Sequence, residues 1–256
     1  LKLKDQVAVI TGAGRNIGKA MAKLFAAEGA NIAVAETHEG RGRAVVDEIS
    51  ASGGEAMLAL CDVSKSGDVQ AMVEAVVAKF GGVDILVNNA ALTDHATILD
   101  SAEEEFDKVI AVSLKGPYLV TQYVARQMIK QGRGGKILNF GSTSGMVGRP
   151  DGIAYAAAKA GVINMTRAMA VQLAPYKIRV NCVVPNRSGS PVGYDDDVAG
   201  NRTFDNLAGR LGTADDQAKA GLFLVSDDAE FIIGHPLVVD GGVMATANFP
   251  KEQFQK

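Results

Sequence analysis

The stretch TGAGRNIG (residues 11–18) stands between the apolar run QVAVI (6–10) and a run that opens AMAKLFAAEGA (20–30). A short apolar strand, a glycine-rich turn and an amphipathic helix form a unit whose backbone N–H groups can face an anion. Gly12 follows the strand directly, where a sharp turn needs backbone freedom. Gly14 and Gly18 let the chain approach a pyrophosphate and let the helix pack on the sheet. Asn16 occupies the turn where a further glycine would be unsurprising. Asparagine is the side chain that best tolerates positive φ, so the turn is expected to survive it.

The pattern continues along the chain. Apolar runs at 7–11, 31–35, 56–61, 84–89, 135–140, 178–184 and 236–240 alternate with helical candidates at 17–28, 40–52, 66–80, 102–130, 153–173 and 214–227. The strand runs are continuously apolar, which marks strands buried on both faces of a parallel sheet. The expected fold is α/β: one doubly wound, seven-stranded, mostly parallel sheet with helices on both faces. No linker or repeat divides residues 1–256, so a single domain is expected. The polar stretch 186–210 has no period and reads as a substrate lid.

A formal net charge of −3 and the absence of a basic cluster argue against nucleic acid as a partner. No apolar run reaches the length of a membrane span, and LKLKDQ lacks a signal-peptide core. A cytoplasmic address is expected by default. The two cysteines, Cys61 and Cys182, lie at or within strand-like runs and are expected as buried free thiols. The three histidines show no metal-ligand spacing, and no metal site is expected. The acidic run 195–197 reads as a solvated turn in the lid.

Glu36 ends the second strand, about 20 residues past the turn, where a carboxylate can accept hydrogen bonds from ribose hydroxyls. It would also repel a 2′-phosphate, which favours NAD over NADP. Arg15 pulls the other way, because a guanidinium can pair with that phosphate. Thr37 and His38 add no strong second cation, so Glu36 weighs more. Tyr155 and Lys159 stand four apart on one helix face. A neighbouring ammonium is expected to lower the phenol pKa, fitting Tyr155 to exchange a proton with an alcohol oxygen. Ser142, in NFGSTSG after the fifth strand, can polarise the same oxygen.

These motifs resemble the classical branch of the short-chain dehydrogenase/reductase family. The resemblance runs through TGAGRNIG, CDV (61–63), NNAA (88–91), S-x12-Y-x3-K (142–159), RVNCVVP (179–185) and VDGG (239–242), nearly the whole chain. It implies a Rossmann-type fold and a Ser142–Tyr155–Lys159 catalytic set, with Lys159 also bonding the nicotinamide ribose. It implies cofactor contacts from Gly12, Gly14, Arg15, Asn16, Ile17, Gly18, Glu36, Asp62, Val63, Asn89, Ala90, Tyr155, Lys159, Pro185 and Asn186. Asp62 and Val63 would meet adenine, and Asn88 to Ala90 would steady the sheet beside the cofactor. Ser190 would stand where the family usually has a threonine on the carboxamide. The resemblance also implies a homotetramer built through the helices at 102–130 and 153–173 and the C-terminal strand region.

Four positions depart from the family pattern. Asn16 replaces a glycine. Ala91 replaces another at little expected cost. Asn186 follows Pro185 where glycine is usual and should restrict the start of the lid. Ser113, in VSLKG, replaces an asparagine that helps hold a proton-relay water. Serine keeps a donor and an acceptor, so the relay is expected to persist through an extra or shifted water, with some loss.

The function expected is NAD-dependent interconversion of a secondary alcohol and its ketone, the substrate being small and apolar or alicyclic. Specificity is expected in 91–97, 143–149, 186–210 and the C-terminal tail, with Met146, Val147 and Met244 forming an apolar pocket or serving as ordinary core. The alternatives are an NADP-dependent ketoacyl or carbonyl reductase and a weakly active dinucleotide-binding protein.

Overall fold

The computed structural model describes residues 1–186, 192 and 206–246. The strands are β1 (Val7–Thr11), β2 (Asn31–Glu36), β3 (Ala56–Leu60), β4 (Ile85–Asn88), β5 (Gly135–Phe140), β6 (Ile178–Pro185) and β7 (Pro236–Val239). They form one seven-stranded sheet in the order β3-β2-β1-β4-β5-β6-β7. Every pairing is parallel. The chain runs outward from β1 to β3 and returns to place β4 on the other side of β1. A crevice opens at such a reversal, outside the carboxyl ends of the strands.

The strand sequences explain the layering. In β1, Ala8 and Ile10 enter one core while Val7 and Val9 enter the other. In β2, Ile32 and Val34 alternate with Ala33 and Ala35 in the same way. Both faces are buried, which is why the runs are apolar without alternation. Helices α1 (Asn16–Ala27), α2 (Glu39–Ala51) and α7 (Ala214–Val225) cover the first face through Met21, Phe25, Val45, Ile49, Leu222 and Val225. Helices α3 (Ser66–Phe80), α5 (Gly116–Gln131) and α6 (Ile153–Leu173) cover the second through Met72, Val76, Val120, Val124, Met128 and Met169. The edge strands β3 and β7 depart from the expectation of two buried faces. Their residues are mostly half-buried, because each has only one neighbouring strand.

The helix expected at 102–130 is three pieces. Helix α4 (Glu103–Ile110) passes into a π-helical turn at Ala111–Lys115 and continues as α5. Three acidic side chains in the first turn of α4 suit its positive end. The π turn changes the backbone hydrogen bonding from i→i−4 to i→i−5, and no residue type in Ala111–Lys115 marks that change in the sequence. Both cysteines are buried and free, as expected. Among the described residues no helix is long and apolar enough to cross a membrane.

Candidate active site

The glycine turn sits at the β1/β4 crevice. Gly12 adopts φ +63°, and a side chain there would meet the Ala90 backbone at 2.9 Å. Its N–H donates to the Ala35 carbonyl at 2.8 Å, tying the turn to β2. Gly18 packs against the Gly12 carbonyl with no room for a Cβ. Asn16 takes φ +49°, the left-handed conformation that asparagine tolerates. The expectation for this substitution holds.

Glu36 is buried and densely bonded. One oxygen accepts from the Gly14 N–H at 3.0 Å. The other accepts from the N–H groups of Thr37 at 3.0 Å and His38 at 3.2 Å. These backbone donors replace the water that the buried carboxyl group gives up. The Arg41 guanidinium lies 3.6 Å from the same carboxylate. Arg41 is a cation that reasoning from sequence missed. It stands five residues past Glu36 on the first turns of α2, where its reach back to the strand end is not visible in a linear pattern. Gly12, Arg15, Asn16, Ile17, Glu36, Arg41, Asp62, Val63, Asn89 and Ala90 line one cleft of about 350 Å³. A nicotinamide dinucleotide fits its chemistry: amides and cations for phosphates, an acid at the strand end, an apolar wall at Val63.

The cleft floor is cross-braced. The Asn89 amide donates to the carbonyls of Thr11 and Gly12, each at 3.1 Å. Asn88 turns away from the cleft and donates to Thr121 Oγ1 and Asn139 Oδ1, and Asn139 donates to Thr166 Oγ1. This buried chain joins α5, β4, β5 and α6. The Asp62 carboxylate accepts from the N–H and hydroxyl of Ser64 and lies 3.3 Å from Lys65 Nζ. Burial pushes its pKa up, but these bonds and Lys65 outweigh burial and hold it below the usual value. Pro185 ends β6, and Asn186 is half-buried beside it. Ser190, the acidic run 195–197 and most of the expected lid lie outside the described residues.

Across the crevice, Ser142 follows β5 in an extended conformation and caps a short 3-10 turn, its Oγ accepting from Ser144 N–H at 3.1 Å. Its hydroxyl acts on the Tyr155 phenol, favouring the phenolate. Tyr155 and Lys159 sit on α6, both buried. Lys159 Nζ donates to the Phe140 carbonyl at 2.7 Å and lies 5.5 Å from the Tyr155 ring centre. The structure therefore gathers the three expected groups beside the cofactor cleft.

One electrostatic expectation changes. Burial pushes the Tyr155 phenol above its ordinary value, and Ser142 and the Arg149 cation only partly oppose it. The lowered phenol read from the four-residue spacing is not found, because desolvation of a phenolate outweighs these opposing groups. Burial instead brings Lys159 down to about 8. Ser113 is buried and bonded to the loop after β4. Its hydroxyl accepts from Leu92 N–H at 2.9 Å and donates to Leu92 O at 2.8 Å. Its single proton is committed to that carbonyl, so the side chain fastens the π turn to the loop after β4.

Asp94 was not singled out from sequence. It is fully buried, and its carboxylate accepts from the N–H groups of Ala154 at 3.2 Å and Tyr155 at 3.0 Å. It thus caps the first turn of α6 from 60 residues away. The local capping residue is Gly152, which has no side chain for the task. His95 faces Asp151 at 3.7 Å. Met146 and Val147 are 44% and 50% exposed, which removes them from the core.

Comparisons with known proteins agree with this geometry. The family described as Enoyl-(Acyl carrier protein) reductase matches residues 12–244. The chain is 37% identical to the 3-oxoacyl-[acyl-carrier-protein] reductase FabG of Chlamydia muridarum, over 94% of this chain and 98% of that one. It is 36% identical to the mitochondrial borneol dehydrogenase of Lavandula x intermedia, over 94% and 92%. A crystal structure of a short-chain type dehydrogenase/reductase from Mycobacterium marinum superposes with a TM-score of 0.90 at 34% identity, covering 96% of this chain and 97% of that one.

Proposed function

The chain belongs to the short-chain dehydrogenase/reductase family and is a nicotinamide-dependent oxidoreductase; from that premise we propose that it interconverts a secondary alcohol and its ketone with Tyr155 as the proton-exchanging group. The observation that carries the reading is the convergence of Ser142, Tyr155 and Lys159, with Lys159 Nζ 5.5 Å from the Tyr155 ring centre, beside the dinucleotide cleft. The bound nicotinamide supplies or accepts the hydride. Tyr155 gives its phenolic proton to the substrate oxygen in reduction and takes it back in oxidation. Ser142 hydrogen-bonds that oxygen and orients it. Lys159, still largely protonated at neutral pH, favours the phenolate when it forms and holds the ribose.

NAD is the preferred cofactor in this reading, because the buried Glu36 carboxylate would repel a 2′-phosphate. Arg15 and Arg41 in the same cleft favour a second reading, use of NADP. Comparing the affinities of NADH and NADPH separates them. The substrate is a small apolar alcohol or ketone, supported by Met146 and Val147 exposed just past Ser142 and by the borneol dehydrogenase among the relatives. The relative named as an acyl-carrier reductase supports a carbonyl reductase as the alternative. The working assembly is a homotetramer, supported by the exposed apolar side chains Val171, Phe231 and Ile233 around α6 and the C-terminal strands.

The test is absorbance at the reduced-nicotinamide band, with NAD and a panel of alicyclic, aryl, steroid, polyol and hydroxyacyl alcohols. Tyr155→Phe should lower turnover by about 10³-fold or more with NADH affinity nearly unchanged. Retained turnover in that variant overturns the mechanism. Silence across the panel in protein that binds NADH moves the weight to a weakly active binding protein.

A further inference from the structure

Tyr155 has two cations against its ring. Lys159 Nζ lies 5.5 Å from the ring centre, and Arg149 Cζ lies 5.5 Å from it as well. The two sit differently. Lys159 belongs to the same helix, is buried and bonds a carbonyl. Arg149 comes from the loop before α6 and is partly exposed, with 23% of its side chain open to solvent.

The loop is shaped to hold the guanidinium there. Arg149 Nε and Nη2 both donate to one oxygen of Asp151, at 3.1 and 2.7 Å. The other Asp151 oxygen faces His95 at 3.7 Å. Gly152 adopts φ +71°, and a Cβ there would stand 2.9 Å from Arg149 Cζ. Any larger residue at 152 would drive the guanidinium from its place. The 94–96 segment locks the same turn, through Gly152 N–H to Ala96 O at 2.9 Å and the Asp94 cap on Tyr155 N–H.

We propose that Arg149, fixed by Asp151 and by the glycine at 152, is a second positioning residue of the active site that sets the proton affinity of Tyr155. The proposal rests on the reading of Tyr155 as the proton-exchanging group. A cation within about 6 Å of a phenol favours the phenolate, and Asp151 damps that influence by partial neutralisation. Burial drives the phenol up, and Arg149 is one of the two groups that oppose it. The charged and polar groups around Tyr155 among the described residues include Lys159 on its own helix, Ser142 and Arg149 with Asp151 from the loop after β5, His95 against Asp151, and Asp94 at the Tyr155 backbone. The α4 side contributes the apolar Val109.

Opposite shifts from the two partners of the pair distinguish charge from packing. Tyr155 is followed by carbon-13 NMR of ring-labelled tyrosine in the whole protein, its signal assigned by its loss in Tyr155→Phe. Circular dichroism confirms the fold at each pH. Arg149→Met keeps length and removes charge, and should raise the Tyr155 midpoint by about one pH unit. Asp151→Asn frees the guanidinium from its counter-charge and should lower the midpoint. Arg149→Lys should stay near the wild type. Should Arg149→Met fail to fold, Asp151→Asn against Arg149→Lys decides the sign. An unchanged midpoint in the charge-removing variants, or a shift of both in one direction, overturns the proposal. Because this readout needs no turnover, it stands apart from the alcohol panel: active Tyr155→Phe sinks the functional reading, whereas unmoved titrations sink only the role of Arg149.

Discussion

Each side of the crevice contains a buried carboxylate satisfied by backbone amides, and the two were not equally legible. Glu36 belongs to the cofactor side. It serves Gly14, Thr37 and His38, all within the first βαβ unit. Asp94 belongs to the catalytic side. It serves Ala154 and Tyr155 from a loop on a different strand. Glu36 is thus held by amides of the first turn and of the residues just after β2, and the Asn89 amide braces the same turn from the end of β4. The catalytic side joins residues 94, 113, 142, 149, 155 and 159 from separate segments, and it buries a cation as well. The contrast teaches that the turn of the dinucleotide half is recognisable from its local motif, while the chemical half is tuned by desolvation and by side chains reaching across elements.

The largest effect expected on this contrast is at Asp94. Asp94→Ala leaves two buried N–H groups without their acceptor and should cost about 2–4 kcal/mol in urea unfolding. It should also lower kcat more than it raises KM, because the first turn carrying Tyr155 loosens. Asp94→Asn keeps a neutral acceptor and should cost about half as much. Wild-type stability in Asp94→Ala would remove the claim that the catalytic side depends on this distant cap.

A smaller effect, of opposite sign, is expected at Lys159. Its folded pKa of about 8 lies below the ordinary 10.5. The folded state therefore binds fewer protons than the unfolded state between those values, and stability contributed by this site rises with pH there. Below about pH 8 the buried charge carries its full cost. Lys159→Met should abolish activity yet raise stability at neutral pH by about 1–2 kcal/mol, after allowing for the unpaired Phe140 carbonyl. The gap from wild type should narrow as pH rises past 8, read by urea midpoints at several pH values.

The smallest effect is on the cofactor side. Glu36→Gln retains the shape but presents a donor to a cluster of N–H groups. It should cost about 1 kcal/mol and move the NADPH-to-NADH affinity ratio upward about tenfold. An unchanged ratio would show that Arg15 and Arg41, not Glu36, govern the choice.

The fold was almost fully legible because each strand writes two cores in one apolar run. Strand positions, helix order and the single sheet all follow from that pattern. The helix at 102–130 was misread at its centre, since a π turn is a change of backbone hydrogen bonding that no residue type in the run marks. In the site, Ser142, Tyr155 and Lys159 were legible from spacing, and the glycine turn from its place after β1. Arg41 and Asp94 were not, because no local motif marks a side chain that reaches another element.

By itself, then, the sequence determined what local periodicity and turn chemistry dictate: a doubly wound parallel sheet, a phosphate-facing turn and a Tyr-Lys pair on one helix face. The tertiary structure alone decided how those groups are solvated. Packing of α6 against the sheet buries Tyr155 and Lys159 together, so the phenol moves up, against the expectation from spacing, and the lysine moves down. Charge separation in sequence is fixed by the helix repeat, but its energy depends on how much water remains around it, and only the folded chain sets that.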